Sequence, residues 1–373
     1  MNAMTSTLAP GAFRTTQPRR VKAGSAQTAH ASDYTALANE IKAAGLLERR
    51  PGWYVMRCAA LALALGLGFV LLFTLGQTWW QLLVAVYFSV VFTQIAFLAH
   101  DSAHRQVFES GKRNEWFSRV VGNLFVGLSY GWWMNKHSKH HANPNTVGKD
   151  GDIKPGAIAF TVEDAAARTG AAGWLTSKQG YFFFPVLLLA GIDLHVNAIK
   201  SVAGAEPVKH RFVEMALLAV RLIGFPVLVF LALGPVLGGV FWLVQLFAFG
   251  LYMAGSFAPN HKGMPIIGEG ERVDYLRRQV LTSRNVSGRW VIPTALGGLN
   301  YQVEHHLFPN MPSVNLVKAR PIVIAYCEKL GIPYTETTLL RSYGIVVRYI
   351  HKVGIKSADP FDCPLAATYR AAA

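Results

Sequence analysis

Two stretches of this chain contain no Asp, Glu, Lys, Arg or His: Cys58 through Ala99, 42 residues, and Leu222 through Asn260, 39 residues. A helix needs roughly 20 apolar residues to cross the hydrocarbon core of a bilayer. Each stretch is therefore two crossings long, and one core helix of a water-soluble domain explains neither. Gly76-Gln77-Thr78 interrupts the first, and Trp79-Trp80 follow where an interfacial aromatic anchor belongs. Gly234-Pro235 and Gly238-Gly239 bracket the break in the second. The pattern predicts an all-α integral membrane protein with four transmembrane helices in two hairpins, spanning about 55–76, 79–99, 213–233 and 238–259.

Charge supports this reading. Only 15% of residues are charged, against about 25% in soluble domains. Apart from Arg221, Lys and Arg lie in the N-terminal, middle and C-terminal segments, which the positive-inside bias places in the cytoplasm with both termini. The net charge of +15 thus belongs to one face. It suits orientation and attraction to anionic membrane lipids, or docking of an acidic electron donor or anionic acyl carrier. Cys58, Cys327 and Cys363 form no CxxC pair and no disulfide framework. Residues 1–32 are polar and lack the apolar region of a signal peptide, so a disordered cytoplasmic tail is expected there. A membrane unit over 33–350 and a C-terminal tail over 351–373 follow.

Smaller features refine the outline. Tyr34–Leu47 reads as an amphipathic helix. The apolar runs Val120–Trp133 and Tyr181–Ile192 are too short to cross, and helices lying in the interface suit them. Arg320-Pro321 is expected just ahead of an apolar helix that stops at Gly331. Arg221 falls inside the third span near the face of Glu214; an Arg so close to the helix start is expected to snorkel to the interface.

Seven of the twelve histidines fall in three clusters: HDSAH (His100, His104), HSKHH (His137, His140, His141) and QVEHH (Gln302, His305, His306). Spacings of three and four put imidazoles on one helix face, close enough to share a metal. Two crossings separate the second cluster from the third, so all three meet at one membrane face. His261, just beyond the fourth span, stands there too. Eight histidines exceed what one ion can use, and two ions are implied. Imidazole suits zinc, copper, iron or nickel, and no Glu-x-x-His occurs to suggest a carboxylate di-iron bundle. His30, His195, His210 and His351 lack a partner at ligand spacing and read as surface or interfacial residues. Asp101, Asn143, Asn145, Asp150, Asp152, Asn285 and Glu304 are available to hold the far side of the imidazoles.

HDSAH (100–104), WWMNKHSKHHANPNTVGKDGDI (132–153), APNHKGMP (258–265) and NYQVEHHLFPNMP (300–312) resemble the membrane fatty-acid desaturases, most closely their bacterial acyl-lipid and acyl-coenzyme A branch. The resemblance covers residues 50–345. It implies four spans under a cytoplasmic helical cap, two irons, dioxygen as co-substrate, and a cis double bond inserted into an acyl chain. The implied iron ligands are His100, His104, His137, His140, His141, His261, His305 and His306. Gln302 stands where many members have His, as in front-end members, and Phe257 where some relatives have Asn, with Asn260 nearby. No HPGG haem motif occurs, so electrons are expected from a separate donor such as a ferredoxin and its reductase. The setting implied is a bacterial plasma membrane, with the active site cytoplasmic and no nucleic-acid partner. The alternatives are a hydroxylase or ketolase of the same superfamily, or a metal transporter; a transporter would carry its polar groups near the bilayer midplane, and here the spans are almost bare of them.

Overall fold

The computed structural model describes residues 23–356, with side chains from residue 32 onward. The first hairpin is α2 (Pro51–Thr74) and α3 (Gln81–Ala103), preceded by α1 (Ala23–Ala43). Its turn closes at Gly76, whose φ of 65° lies in the left-handed region that glycine adopts without strain. Next come α4 (Gly111–Val121), a π-helical turn (Gly122–Val126) and α5 (Tyr130–Ala142). Ser110 and Ser129 cap α4 and α5 by accepting the backbone N–H three residues on. The short α6 (Val162–Ala166) and α7 (Gly170–Ser177) lead to α8 (Gln179–Ala203). Then come α9 (Arg211–Ala219), another π-turn (Val220–Gly224) and α10 (Phe225–His261), the last two holding the second apolar stretch. The chain closes with α11 (Tyr275–Leu281), α12 (Val291–Ala295), α13 (Gln302–Leu307), α14 (Leu316–Lys329) and α15 (Leu339–Gly354). Strands β1 (Asn285–Ser287) and β2 (Glu336–Thr338) pair in parallel, Asn285 opposite Glu336.

Four helical stretches are long and apolar enough to cross a membrane: α2, α3, α8 and the continuous run Arg211–His261. That last run folds back on itself. Gly234 has φ 73° and ψ 179°, and a Cβ on Gly238 would lie 3.3 Å from the Cα of Phe230. Eight residues of straight helix would separate them by about 12 Å. The reversal therefore falls at Gly234-Pro235, and the second hairpin is present.

Helix α3 is the central post, with 67% of its apolar window buried against 11% for α2. Phe88 and Phe92 on α3 pack edge-on against Phe225, with Val229, Phe241 and Met253 around them. Leu63, Leu67, Val70 and Phe73 on α2 stay exposed, the face an apolar solvent would cover. A separate core of Leu37, Ile41, Leu276, Val303, Leu307 and Val323 joins α1, α11, α13 and α14 into a cap.

Several expectations change. Helix α1 begins at Ala23, inside the expected tail; residues 1–22 and 357–373 lie outside the described part. The run Tyr181–Ile192 is half of a 25-residue helix, because Asp193 and Lys200 interrupt its composition without interrupting its backbone. Val120–Trp133 is broken by the π-turn and by Gly127 at φ 86°. Pro321 sits inside α14 rather than ahead of it. Arg221 does not snorkel: it is buried, donates to Phe125 O at 2.9 Å and lies over the rings of Phe92 and Phe225.

Candidate metal centre

All eight expected imidazoles converge, each carried at or near the end of a helix. His100 occupies the last turn of α3 and His104 caps it. His137, His140 and His141 sit in the last two turns of α5, His261 ends α10, and His305 and His306 close α13. The ring nitrogens form two groups. Those of His100, His104, His137, His141 and His305 lie within 4.8 Å of one another, as do those of His140, His261 and His306. His104 Nε2 and His137 Nε2 are 2.7 Å apart, and His140 Nε2 and His261 Nε2 3.3 Å.

In the smaller group each imidazole is held from behind. The Nδ1–H of His140 donates to Asp150 Oδ2 at 2.9 Å, that of His261 to Thr282 O at 3.0 Å, and that of His306 to Gln279 Oε1 at 2.9 Å. Each bond fixes the tautomer and turns a bare Nε2 inward. His306 Nε2, His305 Nε2 and both ring nitrogens of His100 and His141 are buried with no hydrogen-bond partner. Buried polar atoms are normally paired. A metal ion would use these lone pairs, so the residues fit one in each group. Burial, reinforced by the neighbouring histidines, holds His104, His137, His141, His305 and His306 well below the usual imidazole range, in the neutral form a metal requires.

The supporting residues divide. Asp150 also accepts the backbone N–H of Asn145 at 2.8 Å and of Asp152 at 2.9 Å; burial raises its pKa, but the bond from His140 brings the net shift below the usual range. Asp152 pairs with Lys136 at 2.7 Å and approaches His140 Nδ1 at 3.4 Å. Gln302 Nε2 lies 2.9 Å from His261 Nε2, while Gln302 Oε1 accepts from Asn260. Asp101 is 3.7 Å from His100 Nδ1 and spends its carboxylate on Arg57 and Ser313. Asn285 reaches no imidazole: it bonds Glu304 and the Val303 N–H, buttressing α13. Asn145 donates to His261 O, and Asn143 accepts from Arg278. Gln279 and Thr282 carry no signal in the sequence, because Thr282 acts through its backbone and Gln279 lies in an ordinary helix. Among the other histidines, His195 is no surface residue; it is buried, bonded to Val126 O and stacked on Phe249. His210 is exposed, His351 half-buried, and the side chain of His30 lies outside the described residues.

A cavity of about 300 Å³ opens onto both groups, lined by His100, His137, His140, His261 and His305 with Trp132, Met253 and Phe257. A narrower one of about 40 Å³ shares His100, Leu128, Trp133, Met253 and Phe257 with it and continues past Ala96, Ala99, Gly122 and Val126. Phe257, in place of Asn, belongs to the wall of both.

Residues 77–338 match the fatty acid desaturase family. Among similar proteins are a fatty acid desaturase 2-like protein of mouse, 27% identical over 86% of this chain and 66% of its own length, and a delta(8)-fatty-acid desaturase of Arabidopsis thaliana, 27% identical over 88% and 76%. An acyl-lipid (9-3)-desaturase of the moss Physcomitrium patens is 30% identical over 73% of this chain and 53% of its own length. The chain thus spans less than two thirds of the mouse and moss proteins. All three relatives are eukaryotic, which gives the bacterial branch and the bacterial plasma membrane no support. With the match covering most of the chain and every histidine box inside it, the chain belongs to the fatty acid desaturase family, a family of oxidoreductases.

Proposed function

We propose that the protein inserts a cis double bond into a lipid-borne or coenzyme A-borne acyl chain, using dioxygen and two irons. His100, His104, His137, His141 and His305 hold one iron, and His140, His261 and His306 the other, with Gln302 beside it. The observation that carries this is a cavity that opens onto two groups of converging imidazoles, where ring nitrogens of His100, His141, His305 and His306 are buried and unpaired. When bound, the irons supply oxygen activation and the oxidation of an unactivated methylene, which no side-chain acid or base can perform. The protein's part is positional. Trp133, Met253 and Phe257 line the apolar side of both cavities, where an acyl chain would lie and where they would keep water from the reacting carbon. Asp150, Thr282 and Gln279 keep three imidazoles aimed at one point.

Electrons come from a separate donor, such as a ferredoxin with its reductase, docked on the basic face that we place in the cytoplasm with the site. The names of the relatives carry positions 8 and 9-3; bonds near the carboxyl end accord with the Gln302 box. The test is expression in a host without its own desaturases, with gas chromatography–mass spectrometry of its fatty acids. A fatty acid with one double bond more than the acid supplied is expected. A hydroxy or keto product without a double bond would replace the proposal with a hydroxylase or ketolase.

A further inference from the structure

The narrow cavity owes part of its wall to an unusual piece of backbone. In the π-turn Gly122–Val126 the chain bonds at a wider spacing than an α-helix, with Gly127 N–H and Leu128 N–H both directed to Gly122 O. Gly122, Val126 and Leu128 line the cavity. The helix ends with this turn at Val126, so its last carbonyls have no donor further along the helix, and unpaired carbonyls in an apolar setting are costly. Two of these are served from other helices. Arg221 donates to Phe125 O at 2.9 Å, and His195 Nε2–H donates to Val126 O at 3.1 Å. Both donors are buried and rigidly seated. Arg221 lies 4.1 Å from the Phe92 ring and 4.5 Å from the Phe225 ring, and His195 stacks on Phe249. A Cβ on Gly127 would meet Leu222 at 2.9 Å and His195 Nε2 at 3.0 Å, so the turn is pressed against both donor helices.

We infer that Arg221 and His195 are positioning residues for the acyl cavity: they hold the π-turn whose Gly122, Val126 and Leu128 fix how far an acyl chain advances, and so which carbon stops at the metal centre. Neither side chain lines the cavity. π-turns persist where a regular helix would put the wrong side chain in place, and this one needs donors that no local sequence supplies. The inference rests on the cavity being the acyl site.

The test compares double-bond positions in a host lacking desaturases and fed palmitate, stearate or linoleate. His195→Phe and Arg221→Met remove the donors while remaining apolar inside the membrane; His195→Gln restores an N–H. Gly122→Ala alters the same wall directly, and its added Cβ would lie 3.7 Å from Leu128 O and 3.9 Å from Ala99, ordinary contact distances. The ratio of the main double-bond position to its neighbours should fall about fivefold in His195→Phe and Arg221→Met, the scale set by one ordinary hydrogen bond. It should move also in Gly122→Ala and return in His195→Gln. Activity that falls with the wild-type ratio preserved in the two donor variants overturns the inference. Where either fails to accumulate, Gly122→Ala decides alone, and an unmoved ratio overturns it. A wild-type protein that forms no double bond from any of the three acids refutes the acyl reading instead.

Discussion

The bond from His140 to Asp150 offers the sharpest single perturbation of the site. Asp150 is buried and uses both oxygens: Oδ2 accepts from His140 Nδ1–H at 2.9 Å and Asn145 N–H at 2.8 Å, and Oδ1 accepts from Asp152 N–H at 2.9 Å. Asparagine keeps the shape but has one acceptor, so in either orientation its NH2 faces a donor. If the amide turns towards His140, the imidazole loses its tautomer lock. If it turns towards Asp152, the loop that carries residue 150 loosens instead. Partners of this kind typically set metal affinity by about 10–100-fold, or about 1.4–2.7 kcal/mol. The damage should be confined to the group of His140, His261 and His306, since Asp150 touches none of the other five histidines. Metal content after dialysis against chelators of graded strength checks this. After loading with iron, Asp150→Asn should give up one metal equivalent at a weaker chelator than the wild type does, and keep the other. Equal retention of both irons, or their simultaneous loss, would refute the reasoning.

Other consequences concern the same architecture. Replacing His137, His140, His141, His305 or His306 by Ala should abolish desaturation, whereas Gln302→Ala should retain part of it, as product analysis would report. Chelator-treated protein should lose stability as pH falls below about 6.5, because its buried histidines bind protons less readily than the unfolded chain does. A denaturation midpoint that rises on acidification would contradict this. Gly250→Ala should lower the melting temperature by several degrees: its Cβ would lie 2.4 Å from Gly191 N and 2.7 Å from Leu188 O, backbone atoms that cannot yield. Overpacking of that kind costs about 1–3 kcal/mol. The purified protein with NADPH and oxygen should turn over only when a ferredoxin and its reductase are added, at a rate that falls as salt screens the basic face. Turnover without a donor, or a rate indifferent to ionic strength, would count against it.

The parts of this site that could be read in the sequence are those whose geometry is local. A histidine four residues from another declares a shared helix face, and His100 with His104 and His137 with His141 each fall in one group as that rule implies, whereas His140 and His306 turn away from His137, His141 and His305 into the other group. His261 was legible for a different reason, its place at the end of an apolar stretch. Asp150 was within reach because it follows its histidine by ten residues in a tight connection. Gln279 and Thr282 were not, because α11 meets α5, α10 and α13 only in the folded chain. The length of α8 was hidden by Asp193 and Lys200: composition registers a charge as a break, while the backbone hydrogen bonds run through it.

Arg221 owes its place to the side of the helix it occupies, not to its depth along it. Hydropathy along a helix reports how far a residue lies from the end of the apolar run, and from that depth snorkelling is the cheap solution for a long cationic side chain. It says nothing about the azimuth. On the inward side the guanidinium meets a helix-terminal carbonyl 96 residues earlier and two aromatic faces, and these offset its desolvation without reaching water. A π-turn leaves no periodic trace, since one wider hydrogen-bonded turn shifts the pattern by a single residue. The charge and the turn therefore explain each other only in three dimensions: the turn ends its helix and presents a terminal carbonyl as an acceptor, and the arginine makes that end tolerable in an apolar environment.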